Sequence, residues 1–173
     1  VYSQVRKNFK SYAINIKGKK ILGDKSYKSI LDVSVKIDLA VIAVPAKFVI
    51  ESVEQCGKKG INHIIIISSG FSEIGNNRLE HELHKVLDKH KIKCVGPNCL
   101  GIFDAHSKLD TLFLPENKLT RPQPGNISFI SQSGAIGSTI LDMLSFKNIG
   151  FAKFISYGNG TNLDETDYLE YLG

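Results

Sequence analysis

At 173 residues, with 42% apolar content and a formal net charge of +5, the chain can bury one good core, or one core and part of a second. Its lysines are spread along the whole length rather than gathered in blocks, which argues against a nucleic-acid tail and allows a small polyanionic ligand. The isoleucine run Ile64–Ile67 is a buried strand at most, well short of the roughly 20 residues that span a bilayer, and no signal peptide is visible, so no membrane partner is expected. Cys56, Cys94 and Cys99 are odd in number and lack Cys-X-X-Cys pairing. That disfavours a disulfide scaffold or structural zinc and fits a reducing cytoplasm.

The chain opens with Val5 and Phe9 at helical spacing, ahead of a strand-like Tyr12–Ile16. A parallel α/β domain should begin with a strand, because such a helix needs a sheet to cover; a first strand and its loop are therefore expected before Val1. From Tyr12 onward apolar runs alternate with amphipathic ones, the mark of βα units on a mostly parallel sheet. Asp38–Val44 predicts a buried strand ended by Pro45. Ala46–Lys59 predicts a helix with Val49, Val53 and Cys56 inward, closing on cations and Gly60. His63–Ser68 follows as a strand, Asn77–His90 as a helix with Leu79, Leu83, Val86 and Leu87 on one side, and Lys91–Val95 as a strand.

Residues 102–125 lack this alternation and end in Leu119-Thr-Arg-Pro-Gln-Pro-Gly125, which suits a linker. Pattern resumes with strand 127–131, helix 134–146, strand 151–156 and a helix-like Asp164–Leu172. A domain boundary is therefore expected near residue 121. Residues 1–120 form one α/β domain, and residues 121–173 form the start of a second, cut at its C-terminal side.

In open α/β sheets ligands bind beyond the carboxyl ends of the strands. The loops there are Val44-Pro45-Ala46, Ser68-Ser69-Gly70-Phe71 and Gly96-Pro97-Asn98-Cys99, each joining a tight backbone to small or amide side chains. Any one alone is ordinary turn chemistry. The strand ending at Ser131 runs through Gln132 into a helix that begins at Ser133-Gly134-Ala135. There, free N–H groups, the positive helix end and nearby hydroxyl and amide donors suit a phosphoryl group. Ser133 as a simple N-cap accounts for part of the same pattern. A nucleophile elbow would need glycine where Ser131 stands.

Among the five histidines, His81 and His84 miss the zinc-helix spacing, since Lys85 holds the required position. His81, His84 and His90 read as a solvated helix face, and neither His63 nor His106 has a neighbour that marks it as catalytic. No metal site is expected. Cys99 is the cysteine best placed to line a site, although a reactive thiolate needs positive charge nearby; otherwise it is a small apolar filler.

The ordered set Tyr12–Lys17, Ile21–Gly23, Asp38–Ala46, Ser68–Gly75, Val95–Gly101 and Ser131–Ala135 resembles the α subunit of the nucleoside-diphosphate-forming acyl-CoA ligases. Within that superfamily it is most similar to ADP-forming acetate–CoA ligase, and more distantly to succinyl-CoA synthetase. The resemblance implies a Rossmann-like CoA-binding domain followed by a flavodoxin-like ligase domain. It also implies the reaction acetyl-CoA + ADP + phosphate ⇌ acetate + ATP + CoA, through an acyl phosphate and a phosphohistidine. By the same resemblance Lys17, or its neighbour Lys19, meets a CoA phosphate, and Val44, Pro45 and Ala46 line the adenine and pantetheine path. Ile67, Ser68 and Ser69 hold the CoA chain, Asn98 and Cys99 lie near the thioester, and Ser131, Gln132, Ser133, Gly134 and Ala135 surround the phosphoryl group.

ADP, ATP and Mg would come through an ATP-grasp β subunit or fused domain. The family's Gly-rich first loop would precede Val1, and its phosphohistidine belongs to a later segment. The chain alone is therefore expected to bind CoA without completing a turnover. A CoA-ligase-like regulatory module of a protein lysine acetyltransferase is the alternative. An NAD-type Rossmann protein is disfavoured, because neither a GxGxxG loop nor its acidic partner is present.

Overall fold

The computed structural model describes residues 1–173. It contains parallel sheets in an α/β arrangement, with one antiparallel addition. The N-terminal helix α1 is a single turn, Tyr2–Val5, anchored by the buried Gln4, whose amide donates to Asp110 and to the Leu114 carbonyl. The expected strand Tyr12–Ile16 shrinks to β1, Ala13–Ile14, which pairs in parallel with β2, Ser26–Tyr27. Asn15 explains the shortening: its side chain accepts the Lys17 N–H and its carbonyl accepts that of Gly18, so the backbone closes into a turn.

The first core is built on a three-stranded parallel sheet of β3 (Ala40–Ile42), β4 (His63–Ile66) and β5 (Lys93–Val95) in that order. A 3-10 turn at Ala46–Phe48 leads into α2, Val49–Lys58; α3, Asn77–His90, packs beside it. Val53, Ile64, Ile66, Leu83 and Leu87 are fully buried between the helices and the sheet. Strand β3 is shorter than the pattern over Asp38–Val44 suggests. Beyond Ile42 the Ser68 hydroxyl replaces the ladder, accepting from Val44 N and donating to Val44 O.

His90 does not belong to a solvated face. Its Nε2 lies 2.8 Å from Glu54, and its ring covers Gly57 so closely that a Cβ there would stand 2.2 Å from it. With Lys89 on the other Glu54 oxygen at 2.7 Å, it ties α3 to α2.

Residues 102–125 are more than a linker. They contribute most of β6 (Gly101–Asp104), which turns through the left-handed Lys108 into β7 (Leu109–Asp110). The second sheet runs β7-β6-β9-β8, where β8 is Pro124–Ser131 and β9 is Phe151–Ser156. Strand β6 is antiparallel to β7 and β9, whereas β8 and β9 are parallel. Two short strands carry too few residues to show a period of two, which is why sequence pattern missed them.

Helix α4, Gly134–Phe146, lies on this sheet, with Gly137 so close to Phe154 that a Cβ would stand 2.4 Å from its ring; α5, Glu165–Leu172, closes the chain. Arg121 grips the buried Asp110 through both carboxylate oxygens and donates to the Leu114 and Leu119 carbonyls. This fixes the path between β7 and β8.

Candidate functional site

Three loops at the carboxyl ends of β3, β4 and β5 and the amino end of α4 converge on one open cavity of about 900 Å³. Val44 and Pro45 come from the first loop, Ile67, Ser68 and Ser69 from the second, and Asn98 and Cys99 from the third. Gln132, Ser133, Gly134 and Ala135 form the opposite wall. Parallel pairing produces this meeting, because all three strands of the first sheet end on the same edge.

Each loop is locally determined. Gly96 is left-handed (φ +101°), and a Cβ there would stand 2.3 Å from the Ile66 carbonyl oxygen, so only glycine lets the β5 loop cross over β4. Asn98 is also left-handed (φ +58°), a conformation that asparagine tolerates, and its N–H donates to the Ser68 carbonyl. Cys99 is buried with its thiol on the Ile66 carbonyl at 3.3 Å; burial pushes the thiol up to about 12, so it stays protonated and is not a nucleophile here.

At the other wall, Ser133 caps α4 by accepting the Ile136 N–H at 3.3 Å, which leaves the earlier amides of the first turn without helical partners. The Ser131 hydroxyl donates to the Ser133 carbonyl, bracing the turn from outside the cavity wall. No lysine, arginine, histidine or carboxylate lines the cavity. Any anion bound at this end is met by peptide dipoles and neutral donors.

Lys17, Lys19 and Ala46 are not among the lining residues. Lys17 and Lys19 are exposed between β1 and β2, and Ala46 packs beneath Gly70, where a Cβ would stand 2.9 Å from its methyl. The Ser68 hydroxyl, engaged at both lone pair and proton by Val44, holds the β3 and β4 ends together and leaves Ser69 as the freer hydroxyl of the pair.

The structure adds residues that sequence reasoning did not single out. Leu100, Phe113 and Leu114 complete the wall between the Asn98 loop and α4. Behind the Asn98 loop sits the turn after β9. The Asn159 N–H donates to the Pro97 carbonyl and its Oδ1 accepts from Asn98, while its amide nitrogen reaches Ser72, Glu73 and Glu80 at 3.2, 2.8 and 3.0 Å. Burial pushes the Glu73 carboxyl up, but the Gly70 N–H and the Asn159 amide outweigh it and hold it below its ordinary value. The signal was available: Tyr157-Gly-Asn-Gly160 follows a strand's carboxyl end, as the other three loops do.

A family model described as a CoA binding domain matches residues 1–105, and one described as a succinyl-CoA ligase like flavodoxin domain matches residues 124–173. The chain belongs to the CoA-binding domain family. Its two parts are thus a Rossmann-like CoA-binding domain and a flavodoxin-like domain. The chain is 46% identical over 165 residues to an ADP-forming acetate–CoA ligase of Methanocaldococcus jannaschii, covering 95% of this chain and 23% of that protein. It is 41% identical to the α subunit of ADP-forming acetate–CoA ligase II of Pyrococcus furiosus, covering 94% and 35% respectively. A solved structure of dinucleotide-forming acetyl-coenzyme A synthetase 1 from Candidatus Korarchaeum cryptofilum, in complex with phosphate and ADP, superimposes with a TM-score of 0.87 at 37% identity. The match covers 98% of this chain and 37% of that one. The chain spans well under half the length of these relatives.

Proposed function

We propose that this chain is the CoA-binding part of an ADP-forming acyl-CoA ligase, catalysing acetyl-CoA + ADP + phosphate ⇌ acetate + ATP + CoA together with further segments. The observation that carries this reading is the convergence of the Asn98–Cys99 bend and the Ser133–Ala135 helix start on one cavity. A thioester and a phosphate can therefore meet there. CoA would run past Val44, Pro45 and Ala46 and along Ile67, Ser68 and Ser69, with Lys17 or Lys19 at one of its phosphates and its thioester beside Asn98 and Cys99.

Phosphate would rest on the Gly134 and Ala135 amides, with Ser131, Gln132 and Ser133 shaping the turn. A phosphate oxygen attacks the thioester carbonyl, the C–S bond breaks, and CoA leaves as thiolate while an acyl phosphate forms. Cys99, held as a neutral thiol, does not compete for the acyl group. The phosphoryl group then passes to a histidine and on to ADP, with ADP, ATP and Mg held by an ATP-grasp subunit or domain. The domain division is put near residue 121; matches over residues 1–105 and 124–173 support that reading.

Calorimetric titration of the chain with CoA and with NAD tests the reading. CoA should bind and NAD should not; tight NAD binding without a response to CoA overturns it. A full-length form that carries the histidine segment, with its ATP-grasp partner, should form ATP from acetyl-CoA, ADP and phosphate.

A further inference from the structure

The cavity is chemically two-sided. Its thioester end and its phosphate corner are polar, but the wall that joins them is built from Leu100, Phe113 and Leu114. Leu100 follows Cys99 directly, and its Cβ lies 3.3 Å from where a Cβ on Gly134 would stand, so this residue spans from one end to the other. The Phe113 N–H donates to the Leu100 carbonyl at 3.1 Å, which lays Phe113 alongside it.

The segment carrying Phe113 is held firmly. Thr111 and Leu112 on one side are fully buried, and the Leu114 carbonyl on the other accepts from both Arg121 and Gln4. Phe113 itself is nevertheless 50% exposed and forms part of the cavity wall. A large apolar ring kept half in water on a fixed backbone gains most when an apolar group covers it. No charged side chain lines the cavity to receive a second carboxylate.

We propose that Phe113, with Leu100 and Leu114, is the acyl wall of the site, and that its ring tightens binding as an uncharged acyl chain lengthens. This rests on the acyl-CoA reading above and assigns the acyl portion of that ligand. The reacting carbonyl sits between the Asn98 bend and the α4 amides, and the acyl carbons beyond it lie against the Phe113 ring.

Titration of CoA, acetyl-CoA, propionyl-CoA and butyryl-CoA into the full 173-residue chain tests the assignment, alongside Phe113→Ala and the milder Phe113→Leu. The unaltered chain should gain up to about fourfold in affinity per added methylene, the factor that about 0.8 kcal/mol gives. Measured against its own affinity for free CoA, Phe113→Ala should lose most of the gain along the series, with Phe113→Leu intermediate. Should Phe113→Ala not fold, Phe113→Leu alone must still flatten the series. An unchanged series in the variants, or no gain along it in the unaltered chain, overturns the proposal while leaving CoA binding intact. Absence of CoA binding altogether overturns the acyl-CoA reading and this assignment with it.

Discussion

Gly96 and Gly134 are chosen by space rather than by chemistry, and each makes a distinct prediction. A side chain at Gly96 meets both a left-handed backbone and the Ile66 carbonyl at 2.3 Å. Gly96→Ala should therefore cost about 2–4 kcal/mol of stability in denaturant unfolding, through strain and displacement of the β5 loop. At Gly134 an added methyl meets Leu100 at 3.3 Å and the Ser156 hydroxyl only at ordinary contact, 3.8 Å. Gly134→Val should leave the melting temperature within a few degrees and instead weaken phosphate binding by calorimetry, because the branched side chain crowds the helix amides.

The cysteines make a third residue-scale prediction. Burial pushes Cys56 up to about 11 and Cys99 up to about 12, and raises Cys94 well above its ordinary value. None should react with iodoacetamide at pH 8 until the chain is unfolded, and rapid native-state labelling would contradict the buried placement. Sequence singled out Cys99 as lining the site, and it does line the cavity. That it is inert depends on the Ile66 carbonyl and the surrounding core, which no local pattern reveals.

At the scale of elements, helices were the most legible. Asn77–His90 and Gly134–Phe146 have the bounds that periodicity and caps predict, because Asn76 and Ser133 each accept an amide from the first turn. Strands were less legible, since their ends depend on partners. Ser68 ends β3 from the loop after β4, and β6 is paired along its whole length by β9, far along the chain.

The tie between α2 and α3 has a pH signature. Hydrogen bonds from Lys89 and His90 draw the Glu54 carboxyl down from 4.5 to about 2. A depressed carboxylate stabilises fully above its unfolded value, so this contribution should fade as pH falls from about 4.5 towards 2. Glu54→Gln should flatten stability over that window, as measured by urea unfolding at several pH values. The Asn159 turn predicts a loss of another kind. Asn159→Ala removes the amide between Glu73 and Glu80 and the acceptor for Asn98. It should cost about 1–3 kcal/mol and weaken CoA binding as the Asn98 bend loosens.

For the whole molecule, the second sheet draws β6 and β7 from before residue 121 and β8 and β9 from after it. A third apolar cluster joins Ile65, Val95 and Cys99 to Ile155 and Tyr168, across the same point. The two parts should therefore unfold in one transition, whose midpoint rises with CoA concentration. Two separated transitions by calorimetry would show that these contacts do not couple the parts.

Most of the residues that line the cavity were legible in sequence order, because strand-end loops are readable from composition. It could not supply Phe113, which sits in a segment without periodicity and reaches the cavity only through the β6–β7 hairpin. Nor could it show that Ser68 braces two strands while Ser69 remains the freer hydroxyl.

The uncharged lining has a last consequence. Peptide amides do not titrate in the accessible range and burial pushes the Cys99 thiol up to about 12, so near neutral pH the cavity lining has no proton to gain or lose as an anion arrives. Any acidity dependence of phosphate uptake by this corner would then trace the second ionisation of phosphate itself, making the visitor, and not its host, the pH-responsive member of the pair.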